Sequence, residues 1–102
     1  MIRSFACADT KELFHSVNVR RFRQTEAVGR RKLLQRDAAQ RLDDMRVPPG
    51  NRLEALRGNR KGQHSIRVND RWRICFIWQA DGAQNVEIVD YLRIFNVQKI
   101  TA

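Results

Sequence analysis

Long apolar runs are missing from this 102-residue chain: none approaches the roughly 20 residues that span a bilayer. Nor does its start show the apolar stretch and small-residue cleavage site of a secretory leader, so the cytosol is the expected location. Cysteine is scarce too. Cys7 and Cys75 are too few for a disulfide framework and lack the paired spacing of zinc ligands, so they read as reduced thiols packed as small apolar groups. Five Gly and two Pro exclude collagen-like and low-complexity sequence. There is no Walker loop, dinucleotide fingerprint, metal-ligand pair or Gly-x-Ser-x-Gly elbow, which leaves nucleotide hydrolysis, hydride transfer and serine hydrolase chemistry without support. No cofactor is expected. Histidine is limited to His15, read at the negative end of a first helix, and His64, for which structural and functional roles stand equally open.

What the chain has in excess is positive charge. A hydrophobic fraction of 42% and a charged fraction of 30% suit a single globular domain over residues 1–102, yet the net charge is +9. Residues 20–73 hold sixteen basic and six acidic side chains, whereas the rest of the chain is close to neutral. Sixteen of the twenty basic residues are Arg, whose planar fork pairs bidentately with phosphate and stacks on bases. A polyanionic partner, nucleic acid or acidic protein, is therefore favoured; the competing reading is that these arginines only solvate helix faces. Membrane-surface binding is disfavoured because no wide apolar face adjoins the basic segments.

Residues 2–7 alternate as a short extended segment. Asp9, with Glu12 three residues on, is a capping-box-like start for a helix that carries Leu13 and Phe14 inward and stops near Val17-Asn18. After a basic connector, Arg20-Arg21-Phe22-Arg23, Thr25 is a plausible N-cap for a second helix from about Glu26 to Met45. Its expected buried stripe is Ala27, Leu34, Ala38, Leu42 and Met45, with Arg30, Arg36, Asp37 and Arg41 facing solvent. Pro48-Pro49-Gly50 ends it, and the period then changes.

Leu53 and Leu56 flank Glu54 in a short segment of open type, and a turn-rich stretch over residues 58–62 follows. His64, Ile66 and Val68 share one face of a strand; after Asn69-Asp70-Arg71, Trp72, Ile74, Phe76 and Trp78 mark a second. Asp81-Gly82 is a turn before a third strand from Val86 to Tyr91. Helices first and an antiparallel meander afterwards predict an α+β fold, two N-terminal helices packed on one face of a small twisted sheet. The other face, carrying arginines, is the natural place for a phosphate-bearing ligand. Residues 92–102 form an extension that either prolongs the last strand or docks as a cap.

Two stretches, Pro48-Pro49-Gly50-Asn51-Arg52-Leu53-Glu54-Ala55-Leu56-Arg57-Gly58 and residues 62–76, closely resemble the HigB toxins of the RelE/ParE superfamily. The opening Met1-Ile2-Arg3-Ser4-Phe5 and the closing Val86-Glu87-Ile88-Val89-Asp90-Tyr91 match as well. The resemblance implies a RelE/ParE-like fold and a toxin of a type II toxin-antitoxin module. Such a toxin is neutralised by a HigA-like helix-turn-helix antitoxin and meets operator DNA only through that complex. It also implies ribosome-dependent, metal-independent cleavage of mRNA by 2′-hydroxyl attack, which needs a proton acceptor, a proton donor and fixed positive charge. On this likeness Asp90 and Tyr91 fall on the catalytic motif, Glu54 stands where some relatives carry a catalytic histidine, and Arg73 and Arg57 fall on basic positions beside the scissile phosphate. His64 is a substitute acid or base, and Arg60, Lys61 and Arg67 are candidates for backbone attraction. One departure is that Leu92 replaces the histidine that usually follows Asp-Tyr. It keeps two alternatives in play: a ParE-like gyrase inhibitor acting by binding, and a cleavage-impaired homologue acting through its antitoxin.

Overall fold

The computed structural model describes residues 2–15, 19–80 and 82–91, with the side chains of Arg21, Gln24 and Arg36 outside that description. Helix α1 (Ala8–Phe14) and helix α2 (Glu26–Ala38) precede strands β1 (Glu54–Ala55), β2 (His64–Arg67), β3 (Trp72–Gln79) and β4 (Gly82–Asp90). The strands form an antiparallel sheet in the order β1-β2-β3-β4, which is the expected α+β arrangement.

Period two explains the sheet's two faces. Register pairs Ile66 with Ile74 and Ile74 with Ile88, so these side chains stack on one face, fully buried with Trp72, Phe76 and Val86 under the helices. The opposite face carries Ser65, Arg67, Arg73, Cys75, Glu87 and Val89. There, among the described residues, Leu56, Cys75 and Val89 make a small apolar cluster.

The outer edge of β4 is sealed by the N-terminal segment. Arg3 and Ala6 donate backbone N–H groups to Ala83 and Val86 at 2.7 and 3.0 Å, Val86 donates to Ser4, and Ile88 N–H donates to the buried Thr10 hydroxyl at 3.0 Å. Those bonds leave little of the ladder open to another chain. The extended reading of residues 2–7 thus has a physical role.

Both helices depart from expectation at their ends. Cys7, not Asp9, occupies the N-cap of α1, without a side-chain cap bond, and the helix closes at Phe14 with His15 as C-cap; Val17-Asn18 lies outside the described residues. The connector is itself a 3-10 turn, Arg20–Thr25, and the Thr25 hydroxyl accepts from Asn69 Nδ2 at 3.0 Å. Helix α2 ends at Ala38 instead of Met45. The Asp44 carboxylate accepts from the Gln40 and Arg41 amides at 2.9 and 3.0 Å, opening a separate 3-10 turn, Leu42–Arg46. A side chain that satisfies free amides competes with helix continuation.

The expected stripe on α2 is also displaced. Leu34 is 53% exposed and Ala27 and Ala38 are exposed, while Leu33 is fully buried, and Met45 is buried from its own turn. Gly29 decides the rotation: a Cβ there would stand 3.3 Å from Leu13 Cδ2, so the helices meet at a residue with no side chain to advertise it. Arg30 is turned inward too, donating to the Leu13 carbonyl at 3.0 Å and pairing with Glu26 at 2.8 Å. Asp37 accepts from the Ile2 amide at 3.0 Å.

Strand β4 begins four residues earlier than expected. Its first half, Gly-Ala-Gln-Asn, has little strand propensity, and a register shift near Cys75/Ile77 with Asn85 at φ 52° interrupts the alternation. Asp81 lies outside the described residues, as do Leu92 and the 92–102 extension.

Candidate active site

The open face of the sheet ends in a cleft of about 150 Å³ whose walls include Arg52, Glu54, Arg67, Asp70, Arg73 and Tyr91. Arg73 is its floor. Its side chain is 3% exposed, and Nε donates to Ser65 Oγ at 2.8 Å while Nη2 donates to the Arg52 carbonyl at 2.6 Å and to the Ser65 carbonyl at 3.4 Å. Its carbon Cζ lies 5.9 Å from the centroid of the Tyr91 ring, and Nη2 stands 4.0 Å from Glu54 Oε2. Burial lowers the guanidinium pKa, and the Glu54 carboxylate opposes that shift. The cation is therefore immobilised and aimed, in the manner of a preorganised electrostatic site.

Local structure explains each wall. Asn51, fully buried, donates Nδ2 to the Met45 and Val47 carbonyls at 3.0 and 3.2 Å, and its Oδ1 accepts from Lys32. That anchor holds the next residue, Arg52, in the left-handed conformation at φ 47°, turning its carbonyl toward Arg73 and its side chain outward. Glu54 follows on the exposed edge strand β1, opposite Ser65. Arg67 is ion-paired with Asp70, whose side chain is 99% exposed. Tyr91 sits just past β4 and donates its amide to the Arg71 carbonyl at 2.5 Å.

Of the residues singled out from sequence, Glu54, Arg67, Arg73 and Tyr91 thus converge. Asp90 does not join them: register sets it opposite Trp72, on the helix-covered face, where its carboxylate accepts from Arg71 Nε at 3.3 Å. His64 is likewise on the helix side, opposite Phe76 and stacked on it at 6.2 Å. Its Nδ1 is buried with no hydrogen-bond partner among the described residues, and burial lowers its pKa from 6.5. Arg57 and Lys61 are exposed on the loop between β1 and β2, and Arg60 of that loop bonds Gln63 at 3.1 Å and Glu87 at 3.5 Å. Sequence reasoning missed Arg52, although a charged residue directly after Pro-Pro-Gly-Asn is a signal for a side chain presented by a turn. Ser65, the anchor of Arg73, was missed as well; its place opposite Arg73's neighbour shows only once β2 and β3 are in register. Among the described residues no group of three or more His, Cys, Asp and Glu could hold a metal ion.

The sequence is similar to those of known proteins. A family model described as "RelE-like toxin of type II toxin-antitoxin system HigB" matches residues 5–94. Toxin HigB-1 of Vibrio cholerae serotype O1 is 58% identical over 48 residues, 47% of this chain and 50% of that protein, so the chain spans about half the length of the relative it matches.

Proposed function

The chain belongs to the RelE-like HigB toxins of type II toxin-antitoxin systems, and from that premise we propose that it is an endoribonuclease that cuts mRNA on the ribosome until an antitoxin neutralises it. The observation that carries this reading is the fixed Arg73 guanidinium beside the Tyr91 ring and Glu54. In the proposed reaction the 2′-hydroxyl oxygen attacks the adjacent phosphorus, the bond from phosphorus to the 5′-oxygen breaks, and a 2′,3′-cyclic phosphate and a 5′-hydroxyl result. Glu54, 45% exposed and open to substrate, takes the 2′-hydroxyl proton, and the Tyr91 phenol supplies one to the leaving oxygen. Arg52 and Arg67 hold the phosphate oxygens, while Arg73 supplies fixed charge to the developing phosphorane and positions Tyr91. Asp90 serves by holding Arg71 and carries no proton step. Arg57, Arg60 and Lys61 add to the field that draws in the RNA backbone.

The test is a translating extract in which 5′ ends on a reporter mRNA are mapped with and without the protein, beside a DNA supercoiling assay. New ends at codon spacing that vanish when ribosomes are omitted are expected. Intact mRNA with blocked supercoiling would replace this reading with gyrase inhibition, and neither effect would leave a toxin homologue acting through its antitoxin.

A further inference from the structure

A second and larger cleft, of about 630 Å³, adjoins the first and takes no part in the proposed chemistry. Its walls include Arg20 and Arg23 from the 3-10 turn before α2 and Asn69, Asp70, Arg71 and Trp72 from the β2–β3 connection. Asn69 and Asp70 line both clefts, so the two lie on either side of one shared rim. Arg20 and Arg23 are exposed and line the same cleft from either side of a kink at Phe22. The Arg71 side chain is 68% exposed, with its guanidinium 4.6 Å from the Trp72 ring centroid and braced by Asp90. Asp70, the acid on the shared rim, is engaged by Arg67. The charge that remains is a row of arginines with one of them, Arg71, held over an aromatic ring and open to a base on its solvent side.

We propose that this groove is a second subsite for the same single-stranded RNA, taking the phosphates of the nucleotides that leave the Arg73-Tyr91 cleft across the Asn69-Asp70 rim. The inference rests on the endonuclease reading for the identity of the strand. The shared rim favours RNA over an acidic protein segment, because one flexible polyanion held in the first cleft can pass over Asn69 and Asp70 into the second. Arg20 and Arg23 then set how tightly the flanking strand is held and contribute nothing to the cleavage step.

The experiment measures, without ribosomes, binding of fluorescent 2′-O-methyl oligouridylates, which cannot be cut, at lengths of about three and about eight nucleotides. The longer probe is expected to bind roughly 10-fold tighter. Replacing both arginines, Arg20→Ala with Arg23→Ala, should erase that gain and flatten the salt dependence by about 1.4 log units per log unit of salt, while leaving the short probe's affinity intact. Both side chains lie on the surface, and Arg20→Lys with Arg23→Lys should retain most of the gain. Equal affinity for the two lengths in the wild type, a gain that survives the alanine pair, or stronger displacement of the long probe by polyglutamate than by unlabelled oligouridylate would each overturn the subsite. Loss of cleavage in the translating extract with the length gain intact would instead remove only the endonuclease reading.

Discussion

Both faces of the sheet bury side chains of β3, and they differ in how that burial is compensated. On the helix side, Phe76 and Ile74 are fully buried among apolar neighbours, and removal of hydrocarbon from water stabilises them. On the open side Arg73 is 3% exposed, and what makes its burial tolerable is a set of hydrogen bonds to Ser65 and the Arg52 carbonyl. Consecutive positions of β3 alternate between these regimes. The lesson is that one strand can build the apolar core and also hold a buried cation, because the pleat sends alternate side chains to opposite faces.

The comparison breaks most visibly if the faces trade effects. Phe76→Ala should cost about 3–5 kcal/mol of stability, read from urea denaturation, with the cleavage rate per folded molecule preserved. Arg73→Ala should do the reverse in emphasis, slowing cleavage by about 100- to 1000-fold, or roughly 2.7–4 kcal/mol of barrier, in single-turnover assays on programmed ribosomes. Arg73→Lys should not restore the rate, because an ammonium cannot reproduce the fork that reaches both Ser65 Oγ and the Arg52 carbonyl. Tyr91→Phe keeps the ring beside Arg73 but removes the hydroxyl, and a slowing of about 10- to 100-fold without a change in urea midpoint is expected. Wild-type rates in the Arg73 and Tyr91 variants would reduce the open face to scaffold.

The smallest effect belongs to His64 and concerns pH. Burial depresses its pKa in the fold below the ordinary 6.5, so the unfolded chain takes up the proton first. Its contribution to stability is whole above about pH 6.5 and is lost as the pH falls below that value and through the lower pKa of the folded state. The urea midpoint should drop from pH 7 to pH 5, and His64→Phe, which preserves the stack on Phe76, should shrink the drop. An undiminished drop would show that His64 titrates freely and that the helix-side face is wet at that end.

Much of this was legible before any coordinates. The alternation of Trp72 to Trp78 named β3 and its inward face, and the Pro-Pro-Gly-Asn-Arg-Leu-Glu stretch pointed to the cleft's edge. The face of α2 was not legible, because its contact with α1 is made by Gly29, and the separation of Asp90 from Tyr91 needed the register with Trp72. Arg67 read as general backbone attraction until the fold set it in the wall beside Arg73.

By itself the sequence determined the α+β class, the concentration of positive charge and the kind of side chain each strand offers, since these follow from residue periodicity and composition, which are local properties. Only the tertiary structure decided which side chains meet: that Arg73 is a buried brace, that Tyr91 turns to it while Asp90 turns to Arg71, and that two clefts share one rim. Strand register, the Asp44 contact that ends α2 and the Gly29 crossing are long-range or side-chain competitions, and a one-residue slip in strand register alone would send a different set of groups to the open face.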